Sequence, residues 1–282
     1  MLRSRRAADP RPPSAVPPTL PTITSRRHPL VQACREARAG GPGQPLLLDG
    51  WHLVVDAVQA GLAVDAVAVS RLPDEAAAAR ALDALVASGA QVVRATDDVL
   101  QAMSPVRTAS GVVALARRPR LALARMLASG PAFVLVAVDV QDPGNLGALV
   151  RTAEAAGATG CVAAGVSADP LGWKALRASM GSAFRLPLAR EADAHAVTAT
   201  LRDAGLAVVA LVPRGGLGLD AVDAARPVAL LVGGEGPGLA SAIVAAADVS
   251  VTLPMTPPVE SLNVAVAGAL ALYGLAGRRG LR

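Results

Sequence analysis

Three places in this sequence set hydrogen-bonding side chains among glycines or prolines, close behind an apolar run. Asn145 follows Phe133–Val138 within Asp142-Pro143-Gly144-Asn145-Leu146-Gly147, and Arg151 lies six residues further on. Glu235 follows Val228–Val232 inside Gly233-Gly234-Glu235-Gly236-Pro237-Gly238. Ser261 and Asn263 come after Leu253-Pro254-Met255 and Thr256-Pro257-Pro258, just before an uncharged run from Val264 to Ala276. An amide, a carboxylate or a hydroxyl at such a junction can face a ligand. The plain alternative is helix capping, because first-turn N–H groups lack partners that Ser or Asn can supply. What favours chemistry is recurrence: ligands of open α/β sheets collect at the carboxyl ends of strands, and three such ends carry these groups.

The surrounding pattern is the one needed to build such a sheet. Phe133–Val138 is a near-continuous apolar strand of the kind buried in a parallel sheet. A helix follows to about Ala156, with Leu146, Leu149, Val150 and Ala153 on its apolar face. Strands are expected at Gly160–Ala164, Leu206–Val212, Val228–Val232 and the stretch ending Val251-Thr252-Leu253. Helices are expected at Ala192–Ala204, near Asp220–Ala225 and at Leu239–Ala247, with a short basic segment at Lys174–Gly181 before Phe184–Leu188. The thirteen residues Val264–Ala276 are too few for a membrane span, which needs roughly 20. They read as a helix buried in a core or an interface.

Upstream, a smaller unit alternates strands and helices. Leu46–Leu48, Val64–Ser70, Gln91–Val93 and Gly111–Ala116 read as strands, and His28–Ala39, Trp51–Ala60, Asp74–Ser88 and Ala95–Met103 as helices. The fold class is therefore α/β, a mostly parallel C-terminal sheet behind a small α/β sandwich. The expected organisation is a Pro/Arg-rich tail at 1–22, a small domain at 23–118, a linker at 119–130 and a larger domain at 131–282. The polar turn Arg107–Gly111 either meets phosphate or is a solvated loop; His28 and His52 read as surface or capping residues.

Composition narrows the function. Charged residues are 17 % and hydrophobic residues 52 %, enough to bury a sizeable core. Aromatics are 2 %, which argues against base-stacking platforms as the main device. Cys34 and Cys161 stand far apart without the spacing of a metal site, so no metal is expected and a reducing cytoplasmic setting fits. No segment reads as a membrane anchor, and the Arg-rich start lacks the apolar core of a secretory signal, though it shares features with an organellar transit peptide. Residues 1–40 hold eight arginines against Asp9 and Glu36, more than the whole net charge of +5. Such an arm can hold a polyanion, although Lys174 is the only lysine and arginine richness also follows from genome composition. Gly216-Leu217-Gly218-Leu219-Asp220-Ala221 formally fits a dinucleotide fingerprint, but no acidic residue ends a following strand about 20 residues on, so it reads as a turn.

The three strand-end segments resemble, in order, the three motifs of the SpoU (TrmH-like) RNA ribose 2′-O-methyltransferases. The carrying residues are Asp142–Gly147 with Arg151-Thr152-Ala153, then Gly233–Gly238, then Leu253-Pro254-Met255 with Val259–Ala265. Lys174–Phe184 resembles the basic, serine-containing segment between the first two, and the match covers roughly 130–277. The small domain resembles the L30e-type substrate-binding domain often fused in front. This resemblance implies a deep trefoil knot with Val264–Ala276 as the threaded helix, a homodimer, and S-adenosylmethionine as cofactor. By the same resemblance Gly233, Gly234, Leu253, Met255 and Leu262 hold the cofactor. Arg151 engages the 2′-OH, Asn145 positions substrate or Arg151, and Glu235, Ser261 and Asn263 brace the site. The implied substrate is RNA, ribosomal more than transfer RNA; a non-catalytic RNA binder on the same fold is the alternative, and a nucleotide- or NAD-dependent enzyme a further one. The chain departs from the pattern at Thr256-Pro257-Pro258, where many relatives have glycine.

Overall fold

Strand and helix alternate through the residues that the computed structural model describes, which are 20–41, 43–121, 123–127 and 132–280. The first unit contains β1 (Thr22–Ile23), α1 (Pro29–Ala39), β2 (Leu46–Asp49), α2 (Trp51–Gln59), β3 (Val64–Val69), α3 (Ala76–Ala87), β4 (Gln91–Ala95), α4 (Asp97–Met103) and β5 (Val112–Ala116). Its strands lie in the order β1-β4-β3-β5-β2, with β5 antiparallel to both its neighbours. Helices α1 and α4 bury Val31, Cys34, Leu100 and Met103 on one face. Leu53, Val54 and Ala57 of α2 and Leu85 of α3 cover the other. The expected sandwich is therefore present, and it begins earlier than the sequence indicated. Thr22 and Ile23 pair with Arg94 and Ala95, so the tail's last residues join the sheet. Arg26, Arg27, Arg35 and Arg38, half of the arm's arginines, belong to this folded part; residues 1–19 lie outside the described ones.

A short helix α5 (Ala124–Leu127) follows. It falls inside the stretch read as a linker, and its Met126 is fully buried, touching the position where Gly160 leaves no side chain. The second unit comprises β6 (Phe133–Val138), α6 (Pro143–Ala155), β7 (Gly160–Ala164), α7 (Trp173–Ser179), α8 (Ser182–Arg185), β8 (Leu188–Glu191), α9 (Ala194–Asp203), β9 (Ala207–Leu211), β10 (Val228–Gly233), α10 (Ser241–Ala246), β11 (Val249–Val251) and α11 (Val264–Arg278). Every pairing in the order β11-β9-β10-β6-β7-β8 is parallel. All six residues of β6 are buried, as expected of a strand covered on both faces. Phe133, Leu135 and Ala137 meet the apolar residues of α6 and α11, whereas Val134, Val136 and Val138 meet those of α5, α9 and α10.

Several local expectations are corrected. The basic segment after β7, left without an element type in the sequence, is helical, with Met180 and Gly181 in the left-handed region separating α7 from α8, and β8 begins at Leu188. The expected helix near Asp220–Ala225 is a single 3-10 turn, Leu219–Ala221. Helix α10 is shorter than Leu239–Ala247, and β11 ends at Val251 instead of Leu253. Thr252 leaves the strand because its hydroxyl accepts from Gly216 N–H and donates to Val212 O. Leu217 bridges to Val251, and a Cβ on Gly216 would stand 2.6 Å from Val251 C. Gly216 of the dinucleotide-like turn thus serves close backbone approach along β11.

Helix α6 is packed from both sides by small residues. At Gly147 a Cβ would stand 2.6 Å from Ala178 Cβ and overlap Ala175 O of α7; at Gly268 of α11 one would strike Leu149. Overpacking of this kind costs about 1–3 kcal/mol. Gly147→Ala should lower unfolding stability by that amount in urea titration, and an unchanged midpoint would show that α6 and α7 can separate without cost.

Candidate active site

Asp142 caps α6: its Oδ1 accepts the Asn145 N–H at 2.7 Å, and Pro143 occupies the first turn where no N–H is needed. The cap frees the Asn145 side chain for other partners. Its Nδ2 donates to Glu235 Oε1 at 2.6 Å, and its Oδ1 accepts from Asn263 Nδ2 at 3.1 Å. Glu235 Oε2 also accepts the Gln141 N–H at 3.3 Å. Asn263 in turn caps α11, its Oδ1 accepting from Ala265 and Val266 N–H at 2.9 and 3.3 Å. Capping and site formation, alternatives in the sequence, are here performed by one residue with its two polar atoms.

The loop after β10 owes its path to glycine. A Cβ on Gly233 would run into Gly238 and Leu239, and one on Gly234 would overlap Asp139 O, at the end of β6. Gly236 and Gly238 have φ of 102° and 70°, the left-handed region that suits glycine. The loop walls a cavity of about 340 Å³ that is also lined by Leu253, Met255, Ser261, Leu262 and Asn263. All five positions expected to hold a cofactor thus face one cavity, together with Glu235, Ser261 and Asn263. Glu235 is the only charged side chain in this lining. Leu211, Val212 and Pro213, at the end of β9, complete the wall and went unnoticed in the sequence. Their strand end carries neither glycine nor a polar side chain before Arg214, so the signal that marked the other three was missing.

Arg151 stands apart. It is exposed on α6, and its guanidinium makes no hydrogen bond or ion pair with a described residue. The neighbouring Glu154, which could have held it, is taken by Arg185 through contacts of 2.7 and 2.9 Å.

The family model described as the SpoU rRNA methylase family matches residues 132–273. The chain belongs to that family. A SpoU relative, the 23S rRNA guanosine 2′-O-methyltransferase RlmP of Bacillus subtilis, is 32% identical over 82% of this chain and 88% of its own. A tRNA/rRNA methyltransferase of Mycobacterium tuberculosis is 39% identical over 68% of each chain. Among solved structures, the AdoMet-bound rRNA methyltransferase of Sinorhizobium meliloti superposes with a TM-score of 0.81 at 28% identity, covering 93% of this chain and 98% of that one.

This SpoU chain holds α6 and its neighbours α7 and α8 against the small unit through charge. Arg185 reaches from Glu154 of α6 to Asp56 of α2 at 3.5 Å, and Arg177 reaches Asp49 of β2, also at 3.5 Å. Asp49 is buried and accepts from the Ser104 and Ser110 hydroxyls, both at 2.6 Å, so the polar turn before β5 is used structurally at Ser110. His28 caps α1 and His52 lies 3.4 Å from Asp56, as expected of non-ligand histidines. Cys34 and Cys161 are free and buried, and burial pushes both thiols up to about 12. No cluster that could hold a metal occurs among the described residues.

Burial works to raise the Glu154 pKa, but hydrogen bonds from Arg185 and Ser182 outweigh it and hold the carboxyl below its ordinary range. A depressed folded pKa contributes stability above the unfolded pKa, and that contribution is lost as pH falls through the folded value. Arg185→Met should therefore cost on the order of 1 kcal/mol at neutral pH, the scale of a partly exposed pair. The deficit should shrink as the pH is lowered below 4. Thermal unfolding across that range checks it; a deficit independent of pH would assign the loss to packing.

Proposed function

We propose that this chain transfers the methyl group of S-adenosylmethionine to a ribose 2′-hydroxyl of RNA, ribosomal RNA in preference to transfer RNA. The observation that carries the reading is the junction of three strand ends by Asn145, Glu235 and Asn263 at the rim of one cavity. The cavity suits the cofactor. Bare glycine backbone and the Leu253, Met255 and Leu262 side chains offer hydrogen bonds and apolar contact to an adenosine. A lone carboxylate favours a cationic sulfonium over the pyrophosphate of a dinucleotide. When bound, S-adenosylmethionine supplies an activated methyl group, so the protein has only to orient the hydroxyl and ease its proton away.

Arg151 is the residue we assign to the 2′-hydroxyl. Its pKa exceeds about 12, so it acts by electrostatic lowering of the hydroxyl pKa and not as a base. Its guanidinium has no partner among the described residues, and this supports the assignment, because none of them competes with an incoming nucleotide. Asn145 fixes the geometry at the start of the same helix. Glu235 and Asn263 keep Asn145 in one orientation, and Ser261 lines the approach. A non-catalytic RNA binder would have no need of this continuous bonded set.

Three further parts of the reading rest on likeness. We assign 23–118 as an L30e-like RNA-binding domain, 119–130 as the joining segment and 131–282 as the catalytic domain. We assign α11 as the threaded element of a trefoil knot; its contact with α6 at Gly268 and Leu149 is compatible with that. We also assign a cytoplasmic homodimer. The support is an apolar row on α11, Val266, Leu270 and Tyr273, each about half exposed and spaced along one helix face. None of the helices among the described residues is long and apolar enough to cross a membrane.

Labelled S-adenosylmethionine, purified protein and unmodified ribosomal or transfer RNA test the reading, followed by mapping of 2′-O-methyl positions. A single labelled ribose is expected; cofactor binding without label on any RNA would overturn it. Arg151→Ala should retain cofactor affinity and lose turnover by about 100-fold or more, the scale of a removed transition-state contact. Leu270→Arg should convert a dimer to monomer in sedimentation; a wild-type chain that sediments as a monomer would refute the dimer.

A further inference from the structure

A larger cavity, about 510 Å³, lies where the two units meet. Arg38 from the end of α1, Lys174 from α7 and Arg190 from β8 line it, with Arg118 and Asp169 in its wall. We propose that this groove is a subsite for the sugar–phosphate backbone of the RNA, holding the strand beside the target nucleotide. The proposal rests on the methylation reading above and adds to it the place where substrate flanks are held.

Position is the first argument. Strands β10 and β6 are neighbours in the sheet. The cavity assigned to the cofactor lies beyond the ends of β9 and β10, and the groove beyond those of β6, β7 and β8. Between them stands the Asn145–Glu235 pair. Gln141 and Pro143 line the groove, and the Gln141 N–H donates to Glu235, which lines the other cavity. A strand lying in the groove therefore runs directly past the catalytic helix.

Charge is the second. Asp169 is neutralised by Arg118, whose Nη1 and Nη2 donate to its two oxygens at 3.0 and 2.8 Å. Arg38, Lys174 and Arg190 have no acidic partner among the described residues. Three uncompensated cations remain in one concave surface, which concentrates a polyanion. Lys174 is also held in place: its Nζ lies 5.5 Å from the centroid of the Trp173 ring, and Trp173 packs against the core of the small unit. This contact covers a face of the ring, so the groove offers cations for phosphates in preference to an aromatic platform for bases. It should bind backbone with little regard to sequence.

The test uses the full chain and in-vitro transcribed 23S ribosomal RNA as probe, with filter binding over a series of salt concentrations. One variant carries Arg38→Gln, Lys174→Gln and Arg190→Gln; a second carries Arg38→Lys, Lys174→Arg and Arg190→Lys. Each neutralised phosphate contributes about 0.7–0.9 to the slope of log affinity against log salt. The neutral variant should lose about 2–3 from that slope and raise KM for RNA more than it lowers kcat. Its S-adenosylmethionine affinity by calorimetry should match the parent, which shows that it folds. The charge-keeping variant should retain the slope. An unchanged slope and affinity in the neutral variant would overturn the proposal, as would loss of polyglutamate binding with RNA binding intact, which would assign the groove to an acidic protein. A parent that binds RNA with the full slope but transfers no methyl would sink the methylation reading alone. Methylation indifferent to the triple substitution would sink the groove alone.

Discussion

One asparagine joins segments that lie up to 118 residues apart. Asn145 donates an amide hydrogen to Glu235 and accepts one from Asn263 on its carbonyl oxygen, so the loops after β6, β10 and β11 meet at a single side chain. An amide is suited to this because it carries a donor and an acceptor on one rigid plane. A carboxylate in its place could not donate to Glu235. The arrangement requires Asp142 to take over the capping of α6, and it requires glycine at 234, where the backbone of Asp139 leaves no room for a Cβ. These local conditions concern different segments, and all must hold for the cavity to have its rim.

Helix α6 transmits this order to the rest of the molecule. Its inner face is anchored on the buried sheet, and its two flanks meet α7 at Gly147, where the backbone of α7 leaves no room for a Cβ, and α11 at Gly268, where Leu149 packs against the bare glycine. Glu154 then ties it through Arg185 to the small unit. The apolar cluster is continuous across the boundary, taking in Leu53 and Val54 of α2 together with Leu171, Leu176 and Ala183. The salt links add specificity to that contact more than energy, since partly exposed pairs contribute little. The small unit is thereby fixed beside the carboxyl edge of the large sheet, and the basic groove exists only because of that juxtaposition.

The two cavities divide the recognition of a charged reaction. One has a single carboxylate and suits a cationic cofactor; the other has three unneutralised cations and suits an anionic polymer. Opposite potentials on either side of the Asn145–Glu235 pair would keep a cation and a polyanion out of each other's place. Arg151, exposed and without a partner among the described residues, stands on α6.

Sequence determined a great deal because the α/β pattern is local. A strand buried on both faces must be apolar throughout, so Phe133–Val138 and Val228–Val232 were legible as parallel strands. Glycine and polar residues behind them marked two strand ends, and the third motif was marked by its prolines. Family likeness then named the chemistry. What the sequence could not determine was decided by contacts distant along the chain. Leu211–Pro213 carry no polar mark, yet they wall the cavity because β9 lies beside β10. Thr252 left its strand because of a hydroxyl bridge to residues 36 and 40 positions earlier. Pro21 and Thr22 looked like tail until their bonding to β4 was seen. Whether Asn263 capped a helix or built a site was undecidable from type and spacing, because both uses ask for the same amide. Only the tertiary structure, by bringing Asn145 within 3.1 Å, showed that its two polar atoms do both.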